Sequence, residues 1–176
     1  MTNTDAWLVL RAQSGDRPAL EGLLDGVQPA LRRYLQGLIG DPSSADDVLQ
    51  ETLLRIYRKL RWLEDPALFR PWAYRIASRE AFRFLSRRQK AHVRDVDDSV
   101  LETLAEPTVE PPAPGELERL MAQASPASRA VLLLHYQDDL TIEEVSAVLG
   151  IPTGTVKSRL AYGLQRLRES RKKATS

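Results

Sequence analysis

The chain contains no cysteine and only two histidines among its 176 residues. Without a thiol there is no disulfide framework, no thiolate metal site and no cysteine nucleophile. The two histidines, His92 and His135, fall in different predicted segments and have no acid or nucleophile pattern near them. We therefore expect no metal, no cofactor and no enzymatic chemistry, with His92 at the edge of a linker and His135 on a helix surface.

Long apolar runs are also missing from the sequence. Runs such as Ala130 to Leu134 are far shorter than the roughly 20 residues that span a bilayer, and the N-terminus lacks the basic-then-apolar pattern of a signal peptide. The composition, 43% hydrophobic and 28% charged, suits a soluble globular protein of one domain or two small ones. We expect a cytoplasmic location.

The net charge of +1 conceals a strong asymmetry along the chain. Seven basic residues and one acid, Glu80, give residues 71–94 a charge of 7 minus 1, or +6. Residues 95–118 hold eight acids and no lysine or arginine, and residues 151–173 again hold seven basic residues against one acid. Two basic segments separated by an acidic one predict two modules that face nucleic acid.

No stretch of the sequence shows a convincing alternation of period two, so the fold is predicted to be all-α, with two small helical domains. A first helix is expected over Asp5 to Gln13. A second is expected to open with Asp16 as its N-cap and to run toward Gly40. Pro29, inside this second helix, is a candidate kink.

The third predicted helix has two contrasting faces. Ser43 or Ser44 is expected to cap it, which places acidic residues in its first turn, where they suit the helix dipole. The stripe expected to be core comprises Val48, Leu49, Thr52, Leu53, Ile56, Tyr57 and Leu60. The opposite face holds Asp47, Gln50, Glu51, Leu54 and Arg58. That face is either an ordinary solvated surface or a binding surface, and an exposed leucine favours binding.

A loop at residues 62–70 precedes Pro71, which is expected to open a fourth helix running to about Lys90. The face expected to be buried carries Ala73, Ala77, Ala81 and Phe84, and the other carries Trp72, Arg75, Arg79, Phe82, Arg83 and Ser86. Basic side chains interleaved with aromatic rings suit nucleic acid, because arginines neutralise phosphates and rings stack on unpaired bases. The alternative is that the rings belong to the edge of the core and the arginines keep the helix soluble.

Residues 95–115 are predicted to form an interdomain linker. They contain four prolines followed by Gly115 and lack a sustained apolar period, although residues 100–104 could form a short helical turn. The acidity of this linker either keeps a tether away from DNA or mimics nucleic acid, and the sequence leaves both readings open.

The C-terminal segment shows the clearest helix boundaries. Ser125 and Pro126 open a helix through Tyr136, and a turn at Asp138 and Asp139 follows. The sequence from Thr141 to Glu144 is a capping box that starts a short helix, which ends before Gly150.

A longer basic helix begins near Thr153, so that the two helices make a helix-turn-helix pattern. On the second helix the core positions are Val156, Leu160, Leu164 and Leu167, which leaves Thr155, Lys157, Ser158, Ala161 and Tyr162 pointing outward or sideways. Short hydroxyls and a lysine near the start of such a helix suit base edges, and arginines on its flanks suit phosphates. The alternative is an αα-hairpin within a helical bundle.

Three stretches, in order and spacing, closely resemble the sigma-70 family of RNA polymerase sigma factors. They are ADDVLQETLLRIYRKL (45–60), FRPWAYRIASREAFRFLSRR (69–88) and LTIEEVSAVLGIPTGTVKSRL (140–160). The compact two-domain form resembles the extracytoplasmic function (ECF) group of that family. The resemblance implies a subunit that binds core RNA polymerase, directs it to specific promoters and promotes DNA melting.

The resemblance also implies a role for each segment. Residues 1–94 correspond to sigma region 2, 95–115 to the linker, and 116–176 to region 4. The surface for the β′ coiled coil of the polymerase comprises Asp47, Gln50, Glu51 and Leu54. Recognition and melting of the minus-ten element fall to Leu63, Phe69, Trp72, Tyr74, Arg75, Arg79 and Arg83, with the loop 63–70 capturing a flipped base. Reading of the minus-thirty-five element falls to Thr155, Lys157, Ser158, Arg159, Ala161, Tyr162 and Arg166. The β flap of the polymerase and an anti-sigma factor are further implied partners.

Three features depart from the usual ECF pattern. Arg79 stands where many members have asparagine, the loop lacks the common Gly-Asp-Ser type of sequence, and Ala161 and Tyr162 replace a frequent bulky residue and arginine. A helix-turn-helix regulator of the LuxR type is the alternative function. Such a regulator requires neither the acidic third helix nor the basic-aromatic fourth helix.

Overall fold

The structure, a computed structural model, describes residues 3–92 and 124–174. Within these ranges the chain is helical and contains no strand, as the all-α prediction requires. The helices are α1 (Asn3–Gln13), α2 (Arg17–Ile39), α3 (Pro42–Lys59), α4 (Phe69–His92), α5 (Pro126–Leu132), α6 (Ile142–Leu149) and α7 (Thr153–Ala174). The chain divides into two compact units, Met1–Arg87 and Arg88–Ser176. The predicted linker at 95–115 and the helical turn at 100–104 lie outside the described residues.

The boundaries of α2 are those the sequence predicts. The Asp16 carboxylate accepts a hydrogen bond from Ala19 N at 3.1 Å, and Gly40 ends the helix with a left-handed φ of 81°. That hydrogen bond is the main reason why the pKa of Asp16 is lowered, with the guanidinium of Arg11 as a second cause. Pro29 lies inside a helix that is assigned without interruption from Arg17 to Ile39.

The start of α3 differs from the prediction. Asp41, rather than Ser43 or Ser44, is the N-cap, and its carboxylate accepts a hydrogen bond from Ser44 N at 2.8 Å. The helix begins at Pro42, whose fixed φ suits the first turn. Its first turn therefore carries no acidic residue.

The core of the first unit forms around α2. The buried side chains of α2 are Ala19, Leu23, Val27, Ala30, Leu31, Tyr34, Leu35, Leu38 and Ile39. The Tyr34 ring meets the Tyr74 ring edge-on with centroids 5.5 Å apart. The Ser78 hydroxyl donates to the Tyr74 carbonyl, so the Tyr34 hydroxyl donates to Ser78 Oγ at 2.8 Å. This buried pair fixes α4 against α2.

Between α3 and α4 the chain forms two short 3₁₀ turns, Leu60–Trp62 and Pro66–Leu68, of which the second lies within the predicted loop 62–70. Asp65 caps the second turn by accepting a hydrogen bond from Ala67 N at 2.9 Å. The helix α4 begins at Phe69, two residues before the predicted start at Pro71, and extends to His92. Ala73, Ala77 and Ala81 are buried as predicted, whereas Phe84 is half-buried.

The second unit contains the predicted helix-turn-helix. Thr141 and Glu144 form the capping box of α6, with hydrogen bonds of 3.1 and 2.9 Å, and Gly150 ends that helix with a φ of 67°. The preceding helix was predicted to run regularly through Tyr136. Its α-helical part instead ends at Leu132, and Leu133–Gln137 form a π-helical turn. This wider turn is followed by Asp139 in the left-handed region, with a φ of 55°.

Candidate functional site

The outer face of α3 carries the side chains predicted to bind a partner. Asp47, Gln50, Glu51 and Leu54 are all exposed, and 48% of the Leu54 surface is accessible. The spacing of these residues places them on one face of the helix. An apolar side chain surrounded by acidic and amide side chains has the arrangement of many protein interfaces, an apolar centre with a polar rim, so this face is a candidate contact surface.

Tyr57 belongs to the same outer face and not to the core, where the sequence placed it. Its side chain is 58% exposed, while Val48, Leu49, Thr52, Ile56 and Leu60 are buried as predicted. Leu53 is half-buried. Tyr57 follows Leu54 by three residues, which is close to one helical turn, so its ring extends the apolar part of the contact surface.

A chain of ion pairs connects α3 with α4. Arg55 Nε lies 3.2 Å from Glu51 Oε1 and 3.0 Å from Glu80 Oε1, although it makes no hydrogen bond of good geometry. Arg83 Nη1 donates to Glu80 Oε1 at 2.8 Å. Only 5% of Glu80 is exposed, so its carboxylate depends on both guanidiniums for stabilisation. This explains the single acid in the basic segment 71–94.

An open groove of about 740 Å³ lies beside these ion pairs. Its lining residues are Arg55, Arg79, Glu80, Phe82, Arg83, Ser86 and Arg87. Four arginines against one buried carboxylate leave the groove positively charged, which favours a polyanion. The sequence assigned neither Arg55 nor Arg87 to this site, and it placed Phe82 on the basic-aromatic face of the fourth helix without a role in minus-ten recognition.

Three residues predicted to contact minus-ten DNA are buried instead. Leu63 and Phe69 lie at the two ends of the loop between α3 and α4, and Tyr74 packs against Tyr34. Phe69 also packs against Trp72, with ring centroids 6.2 Å apart. Phe69 and Tyr74 are buried because α4 contributes its first turns to the core through a wider face than the alanine stripe indicates, whereas Leu63 is buried where the chain leaves the first 3₁₀ turn. The three side chains therefore belong to the core of the first unit rather than to its surface.

The remaining predicted residues of α4 are accessible. Arg75, Arg79 and Arg83 are exposed, and Trp72 is half-buried. The loop adds a ring that the sequence prediction did not include among the site residues: Trp62 is 61% exposed, and the Arg61 guanidinium stacks over it at 3.9 Å. The sequence signal that could have identified Trp62 is its position two residues after Leu60, where the apolar stripe of α3 ends, so that the ring falls outside the predicted core.

The helix-turn-helix presents only part of the predicted reading surface. On α7, Lys157 and Tyr162 are exposed, and Thr155, Ser158 and Arg159 are half-buried. The Ser158 hydroxyl donates to the Thr155 carbonyl at 3.1 Å. The side chain of Arg166, and that of the predicted core residue Leu167, lie outside the described residues.

Ala161 is buried, which corrects its placement on the outward face. It lies beside the core residue Leu160, and both side chains are buried. Two residues further on, a Cβ on Gly163 would lie 2.9 Å from Leu132 Cδ2, so α7 and α5 lie close together at that point. Ala161 therefore acts in helix packing, and Tyr162 is the exposed member of the pair.

Several titratable side chains of the second unit are partly buried. His135 Nδ1 lies 2.8 Å from the Leu140 carbonyl and is half-buried rather than on an open helix surface. Burial lowers the pKa of Arg129 and raises the pKa of Tyr136. Across 3–92 and 124–174, no group of three or more histidines and carboxylates is arranged to hold a metal ion. The side chain of His92 lies outside the described residues.

None of the helices within the two described ranges is both long and apolar enough to cross a membrane.

Comparison with known families gives one match in each of the two units of the chain. Residues 23–91 match sigma-70 region 2, and residues 120–169 match sigma-70 region 4. The region 2 match contains α3, the loop and α4, and the region 4 match contains the helix-turn-helix. The alternative of a LuxR-type regulator is not supported, because the first of these matches lies outside the helix-turn-helix.

Individual relatives and solved structures agree with these matches. The ECF RNA polymerase sigma factor SigL of Mycobacterium tuberculosis is 34% identical over 167 residues, which cover 89% of this chain and 91% of the relative. An RNA polymerase sigma-E factor of Streptomyces antibioticus is 31% identical over 160 residues, which cover 88% of this chain and 86% of the relative. The fold resembles that of CnrH, solved in complex with the cytosolic domain of CnrY: the TM-score is 0.70 at 23% identity, and the match covers 99% of this chain and 100% of CnrH. It also resembles the sigma factor RpoE of Bartonella quintana, solved with the anti-sigma factor NepR: the TM-score is 0.67 at 22% identity, and the match covers 85% of this chain and 94% of RpoE. The chain belongs to the ECF group of the sigma-70 family of RNA polymerase sigma factors.

Proposed function

We propose that the outer face of α3 binds the β′ coiled coil of core RNA polymerase, and that α4 and α7 face promoter DNA. The observation that carries this proposal is the pairing of two surfaces in one small unit. An exposed Leu54 lies among acidic and amide side chains on α3, and exposed arginines line α4. A helix-turn-helix alone accounts for DNA binding, whereas the α3 surface accounts for a polymerase partner.

At the minus-ten element, the arginines of α4 would contact phosphates while accessible rings stack on unpaired bases. Arg75, Arg79 and Arg83 supply the charge, and Trp62 and Trp72 supply aromatic surface. Stacking of one base on an aromatic ring contributes about 1–3 kcal/mol, comparable to the few kcal/mol that unstacking a base costs. The chain would thus melt DNA with binding energy alone, without a change in any covalent bond.

At the minus-thirty-five element, α7 would enter the major groove with Lys157 and Tyr162 at its accessible surface. Thr155, Ser158 and Arg159 are half-buried beside them and are assigned here to the edge of that surface. Arg166 stays a predicted phosphate contact. The β flap of the polymerase is the further contact that we assign to this unit.

We also propose that an anti-sigma factor regulates this chain and that it acts in the cytoplasm, where core polymerase is found. The structure of RpoE with NepR supports this regulation, because it pairs a sigma factor of similar fold with an anti-sigma factor. The exposed apolar residues of α3, Leu54 and Tyr57, would be covered in either complex.

Transcription by a reconstituted holoenzyme tests the proposed function. Purified chain and core polymerase are incubated with a random-sequence duplex library, and the transcribed templates are sequenced. We expect enrichment of two sequence elements near minus ten and minus thirty-five. A chain that binds DNA but neither binds core polymerase nor changes which templates are transcribed would contradict the proposal.

Two substitutions on α7 distinguish a residue that contacts DNA phosphates from one that recognises the base sequence. Lys157→Ala should weaken binding to all promoters by about 1 kcal/mol and reduce the salt dependence by about one phosphate contact, because it removes a single charge. Tyr162→Ala should instead change the preferred minus-thirty-five sequence. Binding is measured against a library of upstream elements at several salt concentrations. An unchanged preference for Tyr162→Ala would contradict its assignment as a reader.

A further inference from the structure

The side chain of Gln13 connects the end of α1 to the loop between α3 and α4. Its Nε2 atom donates to the Leu60 carbonyl at 2.9 Å and to the Leu63 carbonyl at 2.8 Å. Both partners are carbonyl oxygens, so the two amide N–H groups of one glutamine serve two acceptors. These bonds join segments that are 47 and 50 residues apart in the chain.

The two carbonyls lie at the start of the loop. Leu63 N also donates to the Leu60 carbonyl at 3.0 Å, which closes the first 3₁₀ turn. The helix α1 packs against both 3₁₀ turns, and Leu63 and Phe69 are buried at the two ends of the loop. Gln13 therefore fixes the backbone at the point where the chain leaves the core and begins its exposed course.

We propose that Gln13 is a positioning residue that holds the loop 63–70 in the conformation that captures a flipped base. The inference rests on the proposed function in promoter melting and on the base-capturing role that the family resemblance implies for that loop. A loop that is already ordered loses less conformational entropy when it binds, so it discriminates more strongly between a base that fits and one that does not. Gln13 precedes the match to sigma-70 region 2, which begins at residue 23.

The test uses the complete holoenzyme and Gln13→Met, a side chain of similar length that has no N–H group. The probes are non-template strands of a promoter selected from the random library, either intact or with one abasic site at each minus-ten position in turn. In the wild type, the probe that lacks the captured base should bind much more weakly than the intact strand. The ratio of the affinity for the intact strand to the affinity for that abasic strand should be about tenfold smaller in Gln13→Met, a factor that corresponds to roughly 1.4 kcal/mol. Affinity for core polymerase should be unchanged.

Ser14→Ala is the matched control, because the hydroxyl of this neighbouring residue donates to the Leu10 carbonyl of α1 at 2.9 Å and not to the loop. It should keep the wild-type ratio. Thermal melting checks that each variant is folded, and Gln13→Glu, which has the same shape without the amide donors, is a second variant with the same expected result. If the wild type binds every abasic probe equally, the proposed role of the loop is wrong, and the inference falls with it. If the wild type discriminates and both Gln13 variants do so equally, the loop role stands and the positioning role is overturned.

Discussion

Replacing Leu54 with glutamate is expected to weaken binding to core RNA polymerase by about 100-fold, the effect of losing a central apolar contact of an interface. The leucine is already 48% exposed in the free chain, so the substitution should change the free energy of unfolding by less than about 0.5 kcal/mol. The loss would therefore come from the interface, where a carboxylate must be desolvated against an apolar partner. Binding is measured by titration of labelled chain with core polymerase.

Leu10→Glu provides the control for this prediction. Leu10 lies on α1 and is also 48% exposed, so the same substitution removes the same kind of side chain from a different surface. Its affinity for core polymerase should stay within a few-fold of the wild type. Equal affinities for Leu54→Glu and wild type would contradict the proposed polymerase surface, and an equal loss in both variants would show that the effect is not specific to α3.

Glu80→Gln is expected to destabilise the first unit while strengthening its binding to DNA. The substitution removes the buried carboxylate that pairs with Arg55 and Arg83 at 3.0 and 2.8 Å. Breaking a fully buried pair costs about 3–5 kcal/mol, but the two arginine side chains are 34% and 57% exposed and stay partly hydrated. We therefore expect a loss of about 1–2 kcal/mol in the free energy of unfolding, measured by urea denaturation.

The gain in DNA binding has a separate cause. With the carboxylate removed, the groove would keep four arginines and no acid, which should steepen the salt dependence of binding to nonspecific DNA. Glu21→Gln is the control, because Glu21 pairs with Arg17 at 2.9 Å on an open surface, where such pairs contribute about 0–1 kcal/mol. A variant Glu80→Gln with wild-type stability and salt dependence would show that the buried pair has neither role.

The sequence by itself determined the helical class, the two modules and the helix-turn-helix. These depend on local signals, such as the Asp16 cap, the capping box at Thr141 and the glycines that end α2 and α6. A cap acts within one turn of the chain, and its residues can be read without knowing what packs nearby. The exposure of Leu54 was predicted for a similar reason, since it falls opposite a strong apolar stripe.

Only the tertiary structure decided which side chains each helix buries at the margins of its stripe. Periodicity defines the centre of a buried face, but its width depends on how many neighbours pack against it. Thus Tyr74 is buried because α2 supplies Tyr34, Ala161 is buried beside Leu160 in the second unit, and Tyr57 is exposed because nothing covers its side of α3 within the described residues.

Long-range polar contacts were equally beyond the sequence. The pairing of Glu80 with Arg55 and the bonds from Gln13 to the loop join residues that are far apart along the chain. No local pattern specifies them, because they exist only where the packing of α1, α3 and α4 brings the groups within hydrogen-bonding distance. The sequence therefore determined where the helices begin and end and which face of each is apolar, and the tertiary structure decided which residues from distant helices meet.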